Sequence, residues 1–127
     1  MFGVASMTAP LRKVAVMKPG LSLATADPEK WHYGPLFDPN KVAGIHNEFV
    51  QMLHKSGAEV LWMPEDDHGI ADAVFTYDAS LLTMSGAILM SPGKALRSGE
   101  EAIHCEFYKA HNIPVIGAIT GQARAEA

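Results

Sequence analysis

Strand-like and helix-like segments alternate along this chain of 127 residues, and the alternation limits the folds open to it. Short apolar runs with β-branched residues predict strands, whereas longer stretches with apolar residues at helical spacing predict helices. The predicted elements are strands at 13–17, 60–63, 80–83, 87–90 and from Val115 onward, and helices at 39–56 and 98–110. Elements in this order predict the α/β fold class.

Each predicted helix begins at a recognisable start signal. Asp38 can cap the first helix, and Pro39 suits its first turn because the missing N–H costs nothing there. Ser98 and Glu101 have the spacing of a capping box at the start of the second helix. The first helix carries one apolar stripe and the second should bury four residues: Val42, Ile45, Phe49, Met52 and Leu53, then Ala102, Ile103, Phe107 and Ala110.

A weak internal repeat relates the two halves of the chain. The second half predicts strand, strand, helix, strand, with a hairpin around Ser85-Gly86. The first half predicts strand, helix, strand, so its opening strand would come from elsewhere. An acid follows the last strand of each unit, Asp72 in the first and Glu126 in the second. Repeats of this kind stack on one another, and a partial array leaves apolar faces open.

Composition and charge exclude several classes of protein. Hydrophobic residues make up 48% and charged residues 19%, a composition that is typical of globular proteins. The net charge of -4 argues against a nucleic-acid partner, because phosphate binding needs a basic surface. No apolar stretch is long enough to span a membrane, and the first ten residues lack a secretion signal. With a single cysteine, Cys105, these features predict a cytoplasmic protein without a disulfide.

Residues 18–38 form a long segment without a strong periodic pattern, rich in proline, glycine and aromatic residues. Loops of this length inside a compact domain are often functional. The alternative is a surface excursion whose aromatic side chains pack down on the core. The sequence favours neither interpretation.

The most informative segment is 71–78, which holds an aspartate, a phenylalanine and a second aspartate at intervals of three: Asp72, Phe75 and Asp78. After the predicted hairpin, residues 92–100 supply a Pro-Gly pair, an arginine and a glutamate. In this order and spacing, over roughly residues 12–127, the chain resembles the N-terminal part of the superfamily of amidinotransferases, dimethylarginine dimethylaminohydrolases and arginine deiminases. Each motif alone is weak, and the ordered set is more specific.

The resemblance implies a five-bladed α/β propeller of ββαβ units, the pentein-type fold, around a central site. This chain would supply about two of those units. Residues 1–11 would be a flexible N-terminus, and residues 12–127 the N-terminal part of a truncated propeller domain. Family members use a cysteine that attacks the guanidinium carbon and a histidine that moves protons. Both lie later in the family pattern, outside this chain.

The resemblance also assigns roles to five residues. Four would bind substrate: Asp78 as the first guanidinium-binding carboxylate, Asp72 as a polar contact or a brace for the loop, Phe75 as a pocket wall, and Arg97 as the partner of the substrate's α-carboxylate. Glu126 would be the second active-site carboxylate and belong to the catalytic group. Tyr77 departs from the pattern, because dimethylarginine hydrolases carry a glutamate there.

Each of these residues also has a plainer interpretation. The two aspartates could cap turns beside strands, a common use of Asp. Arg97 could pair weakly with Glu100 or Glu101 at the surface. Cys105, inside a predicted helix, is expected to be idle rather than catalytic, because a nucleophilic cysteine wants an electropositive, accessible position. The polar run 66–68 could touch a metal, although an exposed loop is far more common.

Three hypotheses of function follow. The first is part of a guanidino-group hydrolase or amidinotransferase that acts on arginine-like substrates through a covalent cysteine mechanism. The second is a non-catalytic ligand-binding or regulatory module of the same fold, and the third an α/β oligomerisation domain. The predicted partners are a small guanidino compound and either a second copy or the rest of the fold. We predict no metal, no cofactor, no nucleic acid and no membrane.

Overall fold

The computed structural model describes residues 2–127 and contains two small sheets with helices packed beside them. The elements in chain order are β1 (Lys13–Val16), α1 (Leu21–Ala24), α2 (Pro28–Trp31), α3 (Pro39–Lys55), β2 (Glu59–Trp62), β3 (Ser80–Thr83), β4 (Gly86–Leu89), α4 (Glu100–Ala110) and β5 (Val115–Ala118). Single turns of 3₁₀ helix occupy Ala71–Val74 and Ala95–Arg97. The described helices include none that is both long and apolar enough to cross a membrane.

The first unit consists of β1, α3 and β2. The two strands pair in parallel, from Lys13 opposite Glu59 to Val16 opposite Trp62. Asp38 caps α3 as predicted, since its Oδ1 accepts a hydrogen bond from the backbone N–H of Asn40 over 3.0 Å. The predicted strand, helix, strand order is therefore confirmed.

The second unit is a complete ββαβ unit. Its strands lie in the order β3-β4-β5, with β3 antiparallel to β4 and β4 parallel to β5. Glycine is required at position 86, where φ is +146° and a Cβ atom would lie 2.5 Å from the carbonyl oxygen of Pro114. The predicted hairpin and the predicted last strand are both confirmed.

The start of α4 differs from the prediction. The helix begins at Glu100, with Gly99 at the N-cap and in the left-handed region, and Ser98 does not cap it. Glu101 instead accepts a hydrogen bond from the backbone N–H of Gly99 over 3.0 Å. The reason is the 3₁₀ turn over Ala95–Arg97, which keeps Ser98 outside the helix. The capping-box prediction was wrong.

The buried face of α4 also differs in part. Ile103 and Phe107 are buried as expected, whereas Ala102 and Ala110 are exposed. Polar residues replace the alanines in the interior: Glu100, His104 and Tyr108. They are buried because each finds a hydrogen-bond partner, as buried polar groups must.

The apolar stripe of α3 mostly faces outward. Ile45 is 63% exposed, Phe49 45% and Met52 62%, and Val50 is the buried residue of this helix instead. Trp62, the last residue of β2, is 45% exposed and its ring lies 6.2 Å from that of His46 on α3. This agrees with the expectation that a partial array leaves apolar surface open.

Segment 18–38 packs down on the core. It forms α1 and α2, and Leu23 and Trp31 are buried in the same hydrophobic cluster as Ile103 and Phe107. Tyr33 and Phe37 pack against that cluster from outside. The structure therefore agrees with the packing interpretation of the aromatics, and one of them, Tyr33, also reaches a predicted site residue.

Candidate functional site

Arg97 joins two carboxylates at the start of α4. Its Nε and Nη2 donate to both oxygens of Glu100 over 2.5 and 2.7 Å, and its Nη1 donates to Oδ2 of Asp78 over 2.7 Å. Nη2 also donates to the carbonyl oxygen of Phe75 over 3.2 Å. The side chain of Arg97 is only 10% exposed and that of Glu100 1%. The pairing with Glu100 is therefore real, but it is buried and not the weak surface pair of the plainer interpretation.

Asp78 has one anchored oxygen and one open oxygen. Oδ2 accepts the bond from Arg97, while Oδ1 has no hydrogen-bond partner within residues 2–127. The Asp78 side chain is 30% exposed, so Oδ1 can be reached from outside. A carboxylate held in this way can accept N–H groups from a planar cation without first being ordered.

Both carboxylate oxygens of Asp72 accept hydrogen bonds from other side chains. Its Oδ1 accepts from the Tyr33 hydroxyl over 2.5 Å, and its Oδ2 accepts from Nζ of Lys94 over 2.7 Å. Lys94 also donates to the carbonyl oxygen of Trp31 over 3.0 Å and lies 5.1 Å from the centre of the Trp31 ring. Asp72 therefore links segment 18–38 to Lys94, and its predicted role toward a substrate stays a prediction.

The turn-capping interpretation of the two aspartates finds no support in the geometry. Within the part of the chain that the structure describes, the side chains of Asp72 and Asp78 accept bonds from other side chains and from no backbone amide. Asp67 shows the contrast, because its Oδ1 accepts from the backbone N–H of Gly69 over 3.0 Å.

The hydrogen-bonded side chains described above form what we call the charged network: Tyr33, Asp72, Asp78, Lys94, Arg97 and Glu100. Glu126 lies beside this network. Its Oε1 accepts from the backbone N–H of Gly93 over 3.0 Å, next to Lys94 in the Pro-Gly segment. The following residue, Ala127, donates its backbone N–H to the carbonyl oxygen of Asp78 over 3.1 Å. All five predicted site residues are thus brought into one connected region by tertiary contacts.

Two aromatic side chains stand exposed near Asp78. Phe75 is 54% exposed and Tyr77 65%. The segment from Phe75 to Asp78, which includes Tyr77, is held at both ends by Arg97. The guanidinium donates to the carbonyl oxygen of Phe75 and to the carboxylate of Asp78. Aromatic faces in this position can cover a flat cation such as a guanidinium.

Negative charge exceeds positive charge in this network. Three carboxylates, on Asp72, Asp78 and Glu100, share two cations, on Lys94 and Arg97. The pKa of Arg97 is raised by its hydrogen bonds to Glu100 and Asp78, which outweigh the opposing effect of burial, so the guanidinium stays charged. Burial and the bond to Asp72 raise the pKa of Tyr33. The imbalance favours a positively charged ligand.

A cavity of about 630 Å³ opens beside the network, at the carboxyl ends of β4 and β5. It is lined by Ser91, Gly93, Ser98, Thr120 and Arg124 among others. The cavity meets the charged network at Gly93, whose N–H holds Glu126, and Asp78 is not among its lining residues. Asp78 therefore does not contribute to the wall of this cavity.

Three members of the network were not predicted as site residues: Tyr33, Lys94 and Glu100. In the sequence, Glu100 is the glutamate of the 92–100 motif and a candidate surface partner of Arg97, without a role in binding substrate, and Tyr33 is one of several aromatic residues of segment 18–38. A signal did exist for Lys94 and Glu100, because both lie within residues 92–100, which the motif had already singled out. No local pattern pointed to Tyr33, which is 39 residues from Asp72 in sequence.

The remaining candidates lie outside this network. Among the described residues, no three His, Cys, Asp or Glu side chains are grouped to hold a metal ion, and Asp67 of the polar run instead accepts from the Ser22 hydroxyl over 2.7 Å. Cys105 is half-buried in the middle of α4.

Comparison with known proteins gives a consistent result at the level of structure. No protein-family model and no curated protein matches the sequence. A dimethylarginine dimethylaminohydrolase solved as an adduct with S-methyl-L-thiocitrulline superposes with a TM-score of 0.74 and 26% identity, over 92% of this chain and 45% of that one. The chain has the fold of the amidinotransferase and dimethylarginine dimethylaminohydrolase superfamily.

Two further solved structures agree in fold. A mutant dimethylarginine dimethylaminohydrolase from Pseudomonas aeruginosa, solved with citrulline, has a TM-score of 0.71 and 24% identity, over 92% of this chain and 45% of its own. A mutant of AgrE solved with L-arginine has a TM-score of 0.72 and 19% identity, over 94% of this chain and 18% of its own. The chain thus spans less than half the length of the proteins compared here with it.

The superfamily fold accounts for the two units described above. Each is an α/β unit of the propeller type, and the second contains all four elements of a ββαβ unit. The first shows two paired strands and one helix. The predicted resemblance and the predicted pentein-type fold are both confirmed.

Proposed function

We propose that the protein containing this chain is a guanidino-group hydrolase or amidinotransferase that acts on arginine-like substrates. The observation that carries the proposal is the carboxylate of Asp78, with one oxygen fixed by Arg97 and the other open. Support also comes from the superfamily fold, whose members compared above include dimethylarginine dimethylaminohydrolases.

The proposed ligand is the guanidinium group, because its chemistry fits the network. A guanidinium is planar and positively charged, and it carries several N–H donors in one plane. Asp78 would accept two of these bonds or one, Phe75 would cover one face, and Glu126 would supply the second carboxylate. Asp72 would hold segment 18–38 against the site through Tyr33, close to the substrate's head.

The proposed reaction requires a nucleophile beyond these residues. A cysteine thiolate would attack the guanidinium carbon, a histidine would give the leaving amine its proton, and water or a second amine would then release the product. No residue of this chain matches the superfamily's cysteine or histidine pattern. The role of residues 1–127 in this proposal is to bind and orient the cation, and Cys105 has none.

The proposal is tested by offering the intact protein a series of guanidines. L-arginine, dimethylarginine and agmatine should each be assayed for loss of the substrate and for release of ammonia, dimethylamine or a transferred amidino group. We expect turnover of at least one, with competitive inhibition by the others. A protein that neither binds nor converts any of the three, as judged by calorimetry and mass spectrometry, would contradict the proposal.

A further inference from the structure

The cavity at the carboxyl ends of β4 and β5 has no part in the proposed function. Its volume is about 630 Å³, and within the described residues 2–127 no member of the charged network lines it. Its walls come from three places: the chain after β4, the chain after β5 and the start of α4. The two strands are parallel, and ligands commonly bind outside the carboxyl ends of parallel strands.

Arg124 is oriented at this cavity by the loop that carries it. Ser91 and Ala125 exchange two backbone hydrogen bonds, of 3.0 and 2.8 Å, which return the chain after β5 to the end of β4. Within this loop, Nη1 of Arg124 donates to the carbonyl oxygens of Gly121 and Ala123 over 3.1 and 2.9 Å. The guanidinium is therefore held by backbone oxygens, although the residue is exposed.

The other donors of Arg124 form a free edge of the guanidinium. Nε and Nη2 together carry three N–H groups and have no partner among residues 2–127. Two neighbouring N–H groups on this edge match the two oxygens of a carboxylate, with one hydrogen bond to each. Because the guanidinium is already oriented, it loses little conformational freedom when such a ligand binds.

A second wall of the cavity supplies the opposite charge. Glu101 lies in the first turn of α4 and is half-buried. Its Oε2 accepts from the backbone N–H of Gly99 over 3.0 Å, while its Oε1 has no partner in the part of the chain that the structure describes. Among the described lining residues, Arg124 is the one cation and Glu101 the one carboxylate. A ligand that matches both carries a carboxylate and an ammonium group.

We propose that this cavity binds a free α-amino acid, with the α-carboxylate on the Nε and Nη2 edge of Arg124 and the α-ammonium group on Glu101. A simple anion or a simple cation would leave one of the two wall charges unmatched, whereas an amino acid matches both. Ser98 and Thr120 also line the cavity and add hydroxyl groups for a polar side chain. The ligand needs no guanidino group, so this site is independent of Asp78.

The experiment measures binding of L-glutamine to the intact protein by titration calorimetry, together with two analogues that each lack one charge. Glutaramate keeps the carboxylate and lacks the α-amino group, whereas 4-aminobutanamide keeps the amino group and lacks the carboxylate. We expect one L-glutamine per chain and at least about tenfold weaker binding of each analogue, because each loses one charged contact. Absence of saturable L-glutamine binding overturns the proposal, and this result is expected if another part of the protein fills the cavity.

Two variants identify the partner of each charge. Arg124→Gln should weaken binding of L-glutamine and glutaramate at least about tenfold and leave 4-aminobutanamide unchanged, whereas Glu101→Gln should weaken L-glutamine and 4-aminobutanamide and leave glutaramate unchanged. The matched controls Arg12→Gln and Glu48→Gln remove the same charges at other exposed positions and should change none of the three affinities.

Circular dichroism shows whether each variant is folded. Folded Arg124→Gln and Glu101→Gln proteins that keep the wild-type affinity for L-glutamine overturn the proposal. If a variant does not fold, the analogues decide on the wild-type protein alone, since equal affinities for L-glutamine and both analogues overturn it as well.

The variant Asp78→Asn separates this proposal from the proposed function. L-glutamine should bind Asp78→Asn as tightly as wild type, because its site does not include Asp78. If the affinity falls instead, L-glutamine occupies the guanidinium site, and the cavity proposal is overturned while the proposed function stands. A protein that binds L-glutamine as expected and converts no guanidine retains the cavity site and loses the proposed function.

Discussion

Asp78 is the residue on which the proposed function depends, and its environment shows why an isolated aspartate would not serve. One oxygen is immobilised by a buried guanidinium, so the carboxylate loses little conformational freedom when a ligand arrives. The other oxygen has no hydrogen-bond partner among residues 2–127, and two exposed aromatic residues, Phe75 and Tyr77, precede Asp78 in the chain. The carboxylate of Asp78 is therefore both held in a fixed orientation and partly exposed to a ligand.

Replacing Asp78 by Asn should abolish guanidine processing while the fold is retained. The amide oxygen can still accept the bond from Arg97, but the negative charge opposite the substrate is lost. Leaving a desolvated cation without its partner costs on the order of 3–5 kcal/mol, which corresponds to about two to four decades in kcat/KM. Steady-state kinetics on the intact protein measures this loss.

The matched control for Asp78→Asn is Glu65→Gln, the same loss of one charge at an exposed position. It should leave kcat/KM near the wild-type value. If Asp78→Asn folds normally by circular dichroism and keeps wild-type turnover, Asp78 has no role in binding the cation and the site assignment is wrong.

Helix α4 carries a second buried polar group, separate from the charged network. His104 shares a hydrogen bond of 2.7 Å between its Nδ1 and the hydroxyl of Ser80, which also lies 2.6 Å from the hydroxyl of Tyr108. The Nε2 atom of His104 is buried without a partner among residues 2–127. Burial, with a smaller effect from Arg97, lowers the pKa of His104 to about 4. A neutral imidazole therefore helps to join α4 to β3.

The lowered pKa of His104 makes stability depend on pH. Above pH 6.5 both the folded and the unfolded chain hold this histidine neutral. Between about pH 6.5 and 4 only the unfolded chain takes up the proton, so this contribution to stability is lost as the pH falls. We expect the free energy of unfolding to decrease by about 2 kcal/mol between pH 7.5 and pH 5 from this group alone.

Urea unfolding of wild type and His104→Asn at both pH values isolates this effect, because asparagine does not titrate. Burial raises the pKa of nearby Glu100, and that group changes stability in the opposite direction with pH in both proteins, so it cancels in the comparison. Equal losses of stability in wild type and variant between the two pH values would show that His104 is not responsible.

At the scale of the whole molecule, the exposed apolar residues of the first unit form a patch, which we define as Ile45, Phe49, Met52 and Trp62. Apolar patches of several hundred Å² drive association in water. Residues 1–127 by themselves should therefore self-associate. Light scattering over a range of concentrations should show the mean mass rising with concentration.

Charged substitutions test the patch directly. The double variant Ile45→Glu, Met52→Glu should shift the chain toward monomer, whereas Asn47→Glu, Gln51→Glu, which adds charge at exposed polar positions of the same helix, should not. A wild-type chain that remains monomeric at high concentration, or equal behaviour of the two variants, would exclude the patch as the cause of association.

The sequence by itself determined the five strands, the two long helices and their order, because these depend on local patterns; the short helices α1 and α2 lie in segment 18–38, which was predicted as a loop. Apolar runs, the Asp38-Pro39 start and the Ser85-Gly86 turn each act over a few residues, and the structure has the strands and helices within about two residues of the predicted bounds, as is usual for element ends. Motif spacing also placed Asp72, Phe75, Asp78, Arg97 and Glu126 in one region, although their roles in substrate binding and catalysis stay predictions.

Only the tertiary structure decided which polar side-chain atoms already have a hydrogen-bond partner and which are left without one. Whether the oxygens of Asp72 are free depends on Tyr33 and Lys94, which come from different segments of the chain. Whether Arg97 is an exposed residue or a buried residue that joins Asp78 to Glu100 depends on where the 3₁₀ turn ends and α4 begins. The outward direction of the α3 stripe follows from which strands lie beneath the helix, which no periodicity within the helix records. Burial and pairing are properties of the packed chain, and they decide that both oxygens of Asp72 are occupied while one oxygen of Asp78 is left without a partner among residues 2–127.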